Sequence, residues 1–354
     1  MKLDYIIVGQ GIAGTLIAYF LLKENQKVLV VDKFDPLSSS NVAAGIINPV
    51  TGRKITKTWR AEEIIPFAKE VYNDLEQELN QKFFYKKKIV KLFSSKKEEE
   101  EWLAYLEKNG EDKYVKPFRK KKKYQPFINI GAGGVELRKG GYVDIRGLIF
   151  SFRKMLRDAG LLLEEKFEFD ALEIKKKKIV YKDLEAAKVI FCEGYKGREN
   201  PYFQWLPFSV TKGELIEIRS EDLPQEKIFN KHYWILPTGD SKFKVGATYN
   251  WDEIDCVPSV EARELMLDKL HKIIKVPFEV TEHLAGIRPT VKDRRPLLGE
   301  HPEFAQLVMF NGLGSKGASL GPFFAHQLVQ HLVHNKPIDK EVHVKRAEGW
   351  KSKV

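Results

Sequence analysis

Cysteine is scarce in this chain: among 354 residues only Cys192 and Cys256 occur, far apart and outside any CxxC pair. That excludes a disulfide framework and fits a reducing compartment. Long apolar runs are missing too. Leu16–Leu22 stops at Lys23 and Glu24, well short of the roughly 20 apolar residues that a membrane-spanning helix requires. The short run Tyr5–Val8 lies directly behind Met1 with one Lys and one Asp between, without the basic and long apolar regions of a secretory signal. The expectation is a cytoplasmic protein, neither secreted nor embedded in a membrane. Histidines number eight. His331 and His334 would share a helix face, but no third ligand stands at a supporting spacing, so no metal is expected.

Acidic residues are in deficit. Asp and Glu total 49 against 60 Lys and Arg, a formal charge of +11. Much of the excess lies in the runs Lys86–Lys88, Arg119–Lys123 and Lys175–Lys178. Such runs are solvated turns and strand edges in one reading, since edge lysines discourage sheet-to-sheet pairing. In the other they make a positive field that attracts a phosphate-rich partner such as nucleic acid.

What is present is a globular composition, 43% hydrophobic and 12% aromatic, enough for a sizeable core. The length exceeds one ordinary domain and points to two intimately connected ones. Leu3–Val8 is a continuous apolar run, as in a parallel strand buried on both faces. A glycine turn follows over Gly9–Gly14, then a helix over Ile12–Lys23 and a second strand over Lys27–Val31. Further helices are predicted over Ala61–Gln81, Lys96–Lys108, Asp144–Gly160, Val260–Ile274 and about Pro322–Asn335. Strands are expected at Lys88–Phe93, Lys188–Cys192 and Gln306–Phe310, with a basic loop ending near Pro126.

The turn carries the chemistry. Gly9, Gly11 and Gly14 make a GxGxxG whose glycines allow a tight turn, close backbone approach to a diphosphate, and close packing of helix on strand. Ile12 and Ala13 open a helix whose unpaired amides and positive dipole end suit an anion. Asp32, followed by Lys33, ends the second strand about twenty residues on, where a carboxylate accepts from ribose hydroxyls. Strand, turn, helix, strand and acid in order predict a bound dinucleotide but do not separate FAD from NAD.

Beyond the turn, blocks across nearly the whole chain resemble the D-amino-acid oxidase family of flavoenzymes. Ser40-Asn41-Val42-Ala43-Ala44-Gly45-Ile46 resembles its small-residue segment beside the flavin ring. Lys212-Gly213-Glu214, Tyr233–Pro237 and Val245–Thr248 resemble its substrate-domain sheet. Gly286-Ile287-Arg288-Pro289, with Asp293, Pro296 and Gly299, precedes the glycine loop Gly312-Leu313-Gly314-Ser315-Lys316-Gly317. That loop is similar to the one in the oxidase half of bifunctional tRNA wobble-uridine modifying enzymes, which remove a carboxymethyl group from an amine.

The resemblance implies an α/β fold: a Rossmann-like FAD-binding domain (1–80, 141–200, 283–354) interleaved with a smaller α+β substrate domain on a mixed sheet (81–140, 201–282). It implies FAD, held through Ala43–Ile46, Phe169, Cys192, Glu193, Gly194 and Gly312–Gly317 as well as the turn. Neither cysteine lies where the family forms a covalent flavin bond, so the FAD is expected to be non-covalent. The implied reaction is oxidation of an amine or amino acid by hydride transfer, imine hydrolysis and reoxidation by dioxygen. Arg288 would anchor a substrate carboxylate, Lys316 polarise flavin or substrate, and Trp234 wall the pocket. His232, beside Trp234's strand, and Arg53, Trp59 and Arg60, close behind the flavin segment, are candidates for the approach. The partner is then a small-molecule amine, with tRNA, a dehydrogenase using another acceptor, or a flavin-binding protein without turnover as alternatives. The oligomeric state has no signature in the sequence.

Overall fold

The computed structural model describes residues 2–51, 55–110 and 113–353. Two large sheets divide the chain. The first has a parallel centre, in which Leu162–Leu163, Val28–Val31, Lys2–Val8, Leu184–Phe191 and Leu307–Asn311 lie side by side. Antiparallel strands extend it through Lys178–Tyr181 and Leu172–Lys175, and through Leu297–Glu300. Val28–Val31 is buried at every position, as covering both faces of a parallel strand demands. The helices Ile12–Lys23, Ala61–Glu78, Ile145–Asp158 and Gly317–His334 share the core on one face. An aromatic cluster around Phe167, Tyr181, Phe191 and Phe203 fills the other.

The second sheet runs in the order Glu279–Arg288, Thr211–Arg219, Lys242–Gly246, Trp234–Gly239, Lys227–Asn230, Lys88–Leu92, Gly134–Leu137, Val115–Pro117. Its pairs are antiparallel except Lys227–Asn230 with Lys88–Leu92, so the sheet is mixed, as expected. The strand Glu279–Arg288 belongs to this sheet although it crosses the expected boundary at 283.

Two elements depart from expectation. The C-terminal helix begins at Gly317 rather than near Pro322. Glycine and proline disfavour helix locally, but a Cβ on Gly317 would lie 3.2 Å from Ile12 Cγ2, and one on Gly321 only 2.7 Å from Leu16 Cδ1. Close packing on the first helix therefore requires the small residues and overrides propensity. The stretch expected as a basic loop contains the strand Val115–Pro117 and a helical turn, Lys121–Tyr124, which buries Tyr124 beneath the second sheet.

The lysine runs are divided between the two sheets, and several of their members meet acids. Lys88 joins Lys116 and Lys227, which lie outside the runs, around buried Glu136, Lys123 pairs with Glu226, and Lys178 with Glu185. Among the described residues no helix is long and apolar enough to cross a membrane.

Candidate functional site: three loops at the carboxyl edge of the parallel strands

The glycine turn is built as its sequence requires. Gly9 has φ +94°, and a Cβ there would sit 2.6 Å from the Cys192 carbonyl oxygen. A Cβ on Gly14 would lie 1.8 Å from the Gly9 carbonyl oxygen, so turn and helix can meet only without side chains. Ser40 Oγ accepts from the Ile12 amide at 3.1 Å. The next amides, of Ala13 and Gly14, have no acceptor among the described residues, and the first turn holds no acid. That leaves a helix start with donors free for a diphosphate.

Asp32 lies where the second strand ends. Its Oδ1 accepts from the Gln10 amide (2.9 Å) and its Oδ2 from Arg153 Nη1 (2.6 Å). Arg153 is buried, donates also to Gln10 Oε1 and Glu164 Oε2, and holds the carboxylate in place. Two bonded oxygens retain acceptor capacity for a ribose, because a carboxylate has about four lone-pair sites. Neither Gln10 nor Arg153 was legible as part of the site: the ion pair spans 121 residues of sequence. Lys33 is exposed beside it.

The other two loops meet the first. Gly312 (φ +76°) and Gly314 (φ +54°) turn the chain after Leu307–Asn311, with Leu313 buried and Ser315 exposed. Asn311 Nδ2 donates to the Gly194 carbonyl at 2.8 Å, joining this loop to Cys192-Glu193-Gly194 at the end of the neighbouring strand. All three loops thus stand at the carboxyl ends of adjacent parallel strands, the position where such sheets bind ligands. Cys192 contributes backbone, its thiol buried against Gly14 and pushed up in pKa by that burial. Glu193 keeps some exposed surface but is surrounded by protein; burial pushes its carboxyl up to about 7, opposed by a 2.7 Å bond from Asn200 Nδ2. Phe169 packs on Phe167, Phe191 and Tyr202 in the aromatic cluster, and Phe191 ends the strand that leads into Cys192.

The expected flavin segment runs from the helix Ser39–Val42 into the short strand Ile46–Ile47. Gly45 (φ +65°) would put a Cβ 2.0 Å from the Val143 carbonyl oxygen. Ala44, Ile46 and Trp234 pack on one apolar cluster with Ile89 and Tyr142. Gly286 passes close to Val42 and Ser39, so the strand that carries Arg288 crosses it.

Arg288 is half-buried and lies flat across Gly213. A Cβ on that glycine would fall 2.0 Å from Nη2 and 2.2 Å from Cζ. Its guanidinium donates to the carbonyls of Lys212 (3.2 Å) and Thr248 (3.1 Å), and Tyr249 covers one face at 4.2 Å. Among the described residues no carboxylate pairs with it, and burial presses its pKa down. Lys316 is likewise half-buried, with no acidic partner among the described residues, its ammonium pushed down by burial and then by Arg295 and Arg294. Both cations stand ready for an anion from outside the chain.

The remaining candidates separate. His232 is exposed among Lys231, Lys269 and Lys91. His331 binds Glu300 and His334 binds Glu24, both ordinary surface pairs. Arg60 is taken by Glu63 and Asp339, whereas Trp59 lies under Arg295. Arg53 lies outside the described residues.

The profile of the DAO family, FAD dependent oxidoreductase, matches residues 4–331. This chain belongs to that family. It is therefore an enzyme, an oxidoreductase, and its cofactor is FAD, which the free helix amides and side-chain-free turn fit. Its match to glycine oxidase of Bacillus subtilis (strain 168) is 27% identical over 137 residues, 38% of this chain and 37% of that protein. The crystal structure of glycine oxidase from Geobacillus kaustophilus superposes with a TM-score of 0.79 at 22% identity, covering 95% of this chain and 96% of that one. The crystal structure of iminodiacetate oxidase from Chelativorans sp. BNC1 does so with 0.81 at 20% identity, covering 96% and 100%. At these identities the two structures establish the DAO fold, α/β with a Rossmann-like FAD-binding part, and leave the substrate to chemistry.

Proposed function

We propose that this DAO-family enzyme oxidises a small amine that carries a carboxylate on the carbon next to nitrogen, such as an α-amino acid or an N-carboxymethyl amine. The observation that carries the reading is Arg288, a half-buried guanidinium without a carboxylate of its own. Its planar fork matches a carboxylate in two parallel hydrogen bonds. The two similar structures named above act, by their names, on glycine and iminodiacetate, which both have this arrangement.

FAD, when bound, would supply the two-electron acceptor for hydride from the carbon between nitrogen and carboxylate. The protein's part is to bind and orient. Gly9–Gly14 hold the diphosphate, Asp32 the ribose, and Ala43–Ile46 with Gly312–Gly317 the ring, without a covalent bond. Arg288 fixes the carboxylate, Trp234 walls the pocket and excludes water, and Lys316 offers positive charge beside the reacting atoms. The substrate nitrogen would be neutral when hydride leaves, giving an iminium that water hydrolyses, and dioxygen would take two electrons and two protons to become hydrogen peroxide. Release of all the FAD on acid precipitation checks the absence of a covalent bond.

The direct test is a panel of glycine, sarcosine, proline and D-amino acids on the FAD-loaded protein, read by bleaching of the flavin without oxygen and by peroxide release in air. Bleaching without peroxide would mean another acceptor. No bleaching by any member would overturn the reading.

A further inference from the structure

The turn after Arg288 holds cations that these steps leave unused. Arg295 lays its guanidinium over the Trp59 ring, 4.0 Å from the centroid, and Trp59 stacks on Phe324 of the C-terminal helix at 5.4 Å. Gly314 N donates to the Pro289 carbonyl (3.2 Å), and a Cβ on Gly314 would touch Thr290 Oγ1 at 3.5 Å. The turn 288–295 is thereby laced to the glycine loop, with Arg288 at its near end and exposed Arg294 and half-buried Arg295 at its far end, both near enough to Lys316 to press its pKa down. None of these last three has an acidic partner among the described residues. Asp293, the acid in the same turn, is already held by Arg346. At Glu136 one buried acid neutralises three gathered lysines, an arrangement this cluster lacks. Three like charges left together repel one another, and an anion between them removes that repulsion.

We propose that Arg295, Arg294 and Lys316 form a second acid-binding subsite, so that the preferred substrate is a dicarboxylic amine: one carboxylate on Arg288, the other on this cluster. The inference rests on the amine-oxidase reading and names its substrate class. A guanidinium lying flat on an indole keeps its in-plane N–H edge free, which suits a planar carboxylate. Lys316 adds charge at shorter reach.

The test measures binding and needs no turnover. Thiodiacetate and (methylthio)acetate replace the amine by a thioether that cannot form an imine, and differ by one carboxylate. Each is titrated into the FAD-loaded enzyme and followed by the shift of the flavin spectrum. The diacid is expected to bind at least about tenfold more tightly, the worth of one charge-assisted hydrogen bond. In the double variant Arg294→Gln/Arg295→Gln, and separately in Lys316→Gln, that ratio falls towards one, whereas loss of a merely structural contact would weaken both ligands alike. Equal affinities in the parent enzyme, a ratio that survives the double variant, or no binding of either ligand overturns the subsite. Failure of the amine-oxidase reading looks different: no amine bleaches the flavin while the thioether ratio persists.

Discussion

Gly213→Ala is a single methyl aimed at Arg288. Gly213 lies within the strand Thr211–Arg219 without a left-handed φ, so alanine is allowed there and gains roughly 0.5–1 kcal/mol of backbone preference. Its Cβ would fall 2.0 Å from Arg288 Nη2, where ordinary contact begins at 3.4 Å. The difference, 3.4 − 2.0 = 1.4 Å, is how far the guanidinium must retreat. Retreat breaks its two bonds to the carbonyls of Lys212 and Thr248, at about 1 kcal/mol each, so folding stability changes by no more than about 2 kcal/mol. Ligand binding changes more. A hydrogen bond to a charged group is worth about 1.5–3 kcal/mol, so loss of the paired bonds to a carboxylate weakens binding by on the order of 100-fold or about 2.7 kcal/mol. The assay is titration of the FAD-loaded protein with (methylthio)acetate, with a thermal unfolding curve to show that the fold survives. A folded variant whose affinity stays within about threefold of the parent would refute Arg288 as the carboxylate anchor.

Other outcomes follow from the same geometry. Gly14→Ala sets a methyl 1.8 Å from the Gly9 carbonyl oxygen, a rigid backbone atom; the purified variant should hold no FAD and unfold at lower denaturant, by about 1–3 kcal/mol. Arg153→Met removes the charged partner of Asp32, whereas Glu164 keeps Arg157; losing one partner of this largely buried Arg153–Asp32 pair should destabilise by about 3 kcal/mol and weaken FAD binding, read by urea unfolding and FAD titration. Burial pushes the Glu193 carboxyl up to about 7 in the folded chain, against an ordinary value of 4.5 when unfolded. The folded state therefore binds the extra proton between these values, and stability falls as pH rises from about 4.5 to 7, by no more than about 3 kcal/mol. Urea midpoints at pH 5 and pH 8 measure this slope, and Glu193→Gln should flatten it.

The legible part of this protein is its local part. Gly9, Gly11 and Gly14 could be read because strand, turn and helix are contiguous, and the mixed second sheet followed from the family blocks. What escaped is what forms across the chain. Arg153 sits on an amphipathic helix like any solvated arginine, and only folding sets it against Asp32. Arg295 and Trp59 are separated by most of the sequence, and their stacking leaves no local signature. The start of the C-terminal helix was misjudged because glycine and proline were weighed by local preference, whereas Ile12 and Leu16 require small residues opposite them.

The bond from Asn311 to the Gly194 carbonyl has a consequence for biogenesis. The glycine turn leaves the ribosome about 300 residues ahead of the loop at 312–317, and the loop at 192–194 receives its bond from Asn311 only when that last one arrives. A nascent chain therefore displays a phosphate-ready turn with no flavin seat around it. FAD capture becomes a report that the whole chain has closed, and the vitamin supply of the cell acts as a chaperone in mass-action terms, stabilising the folded form in proportion to the logarithm of free FAD over its dissociation constant.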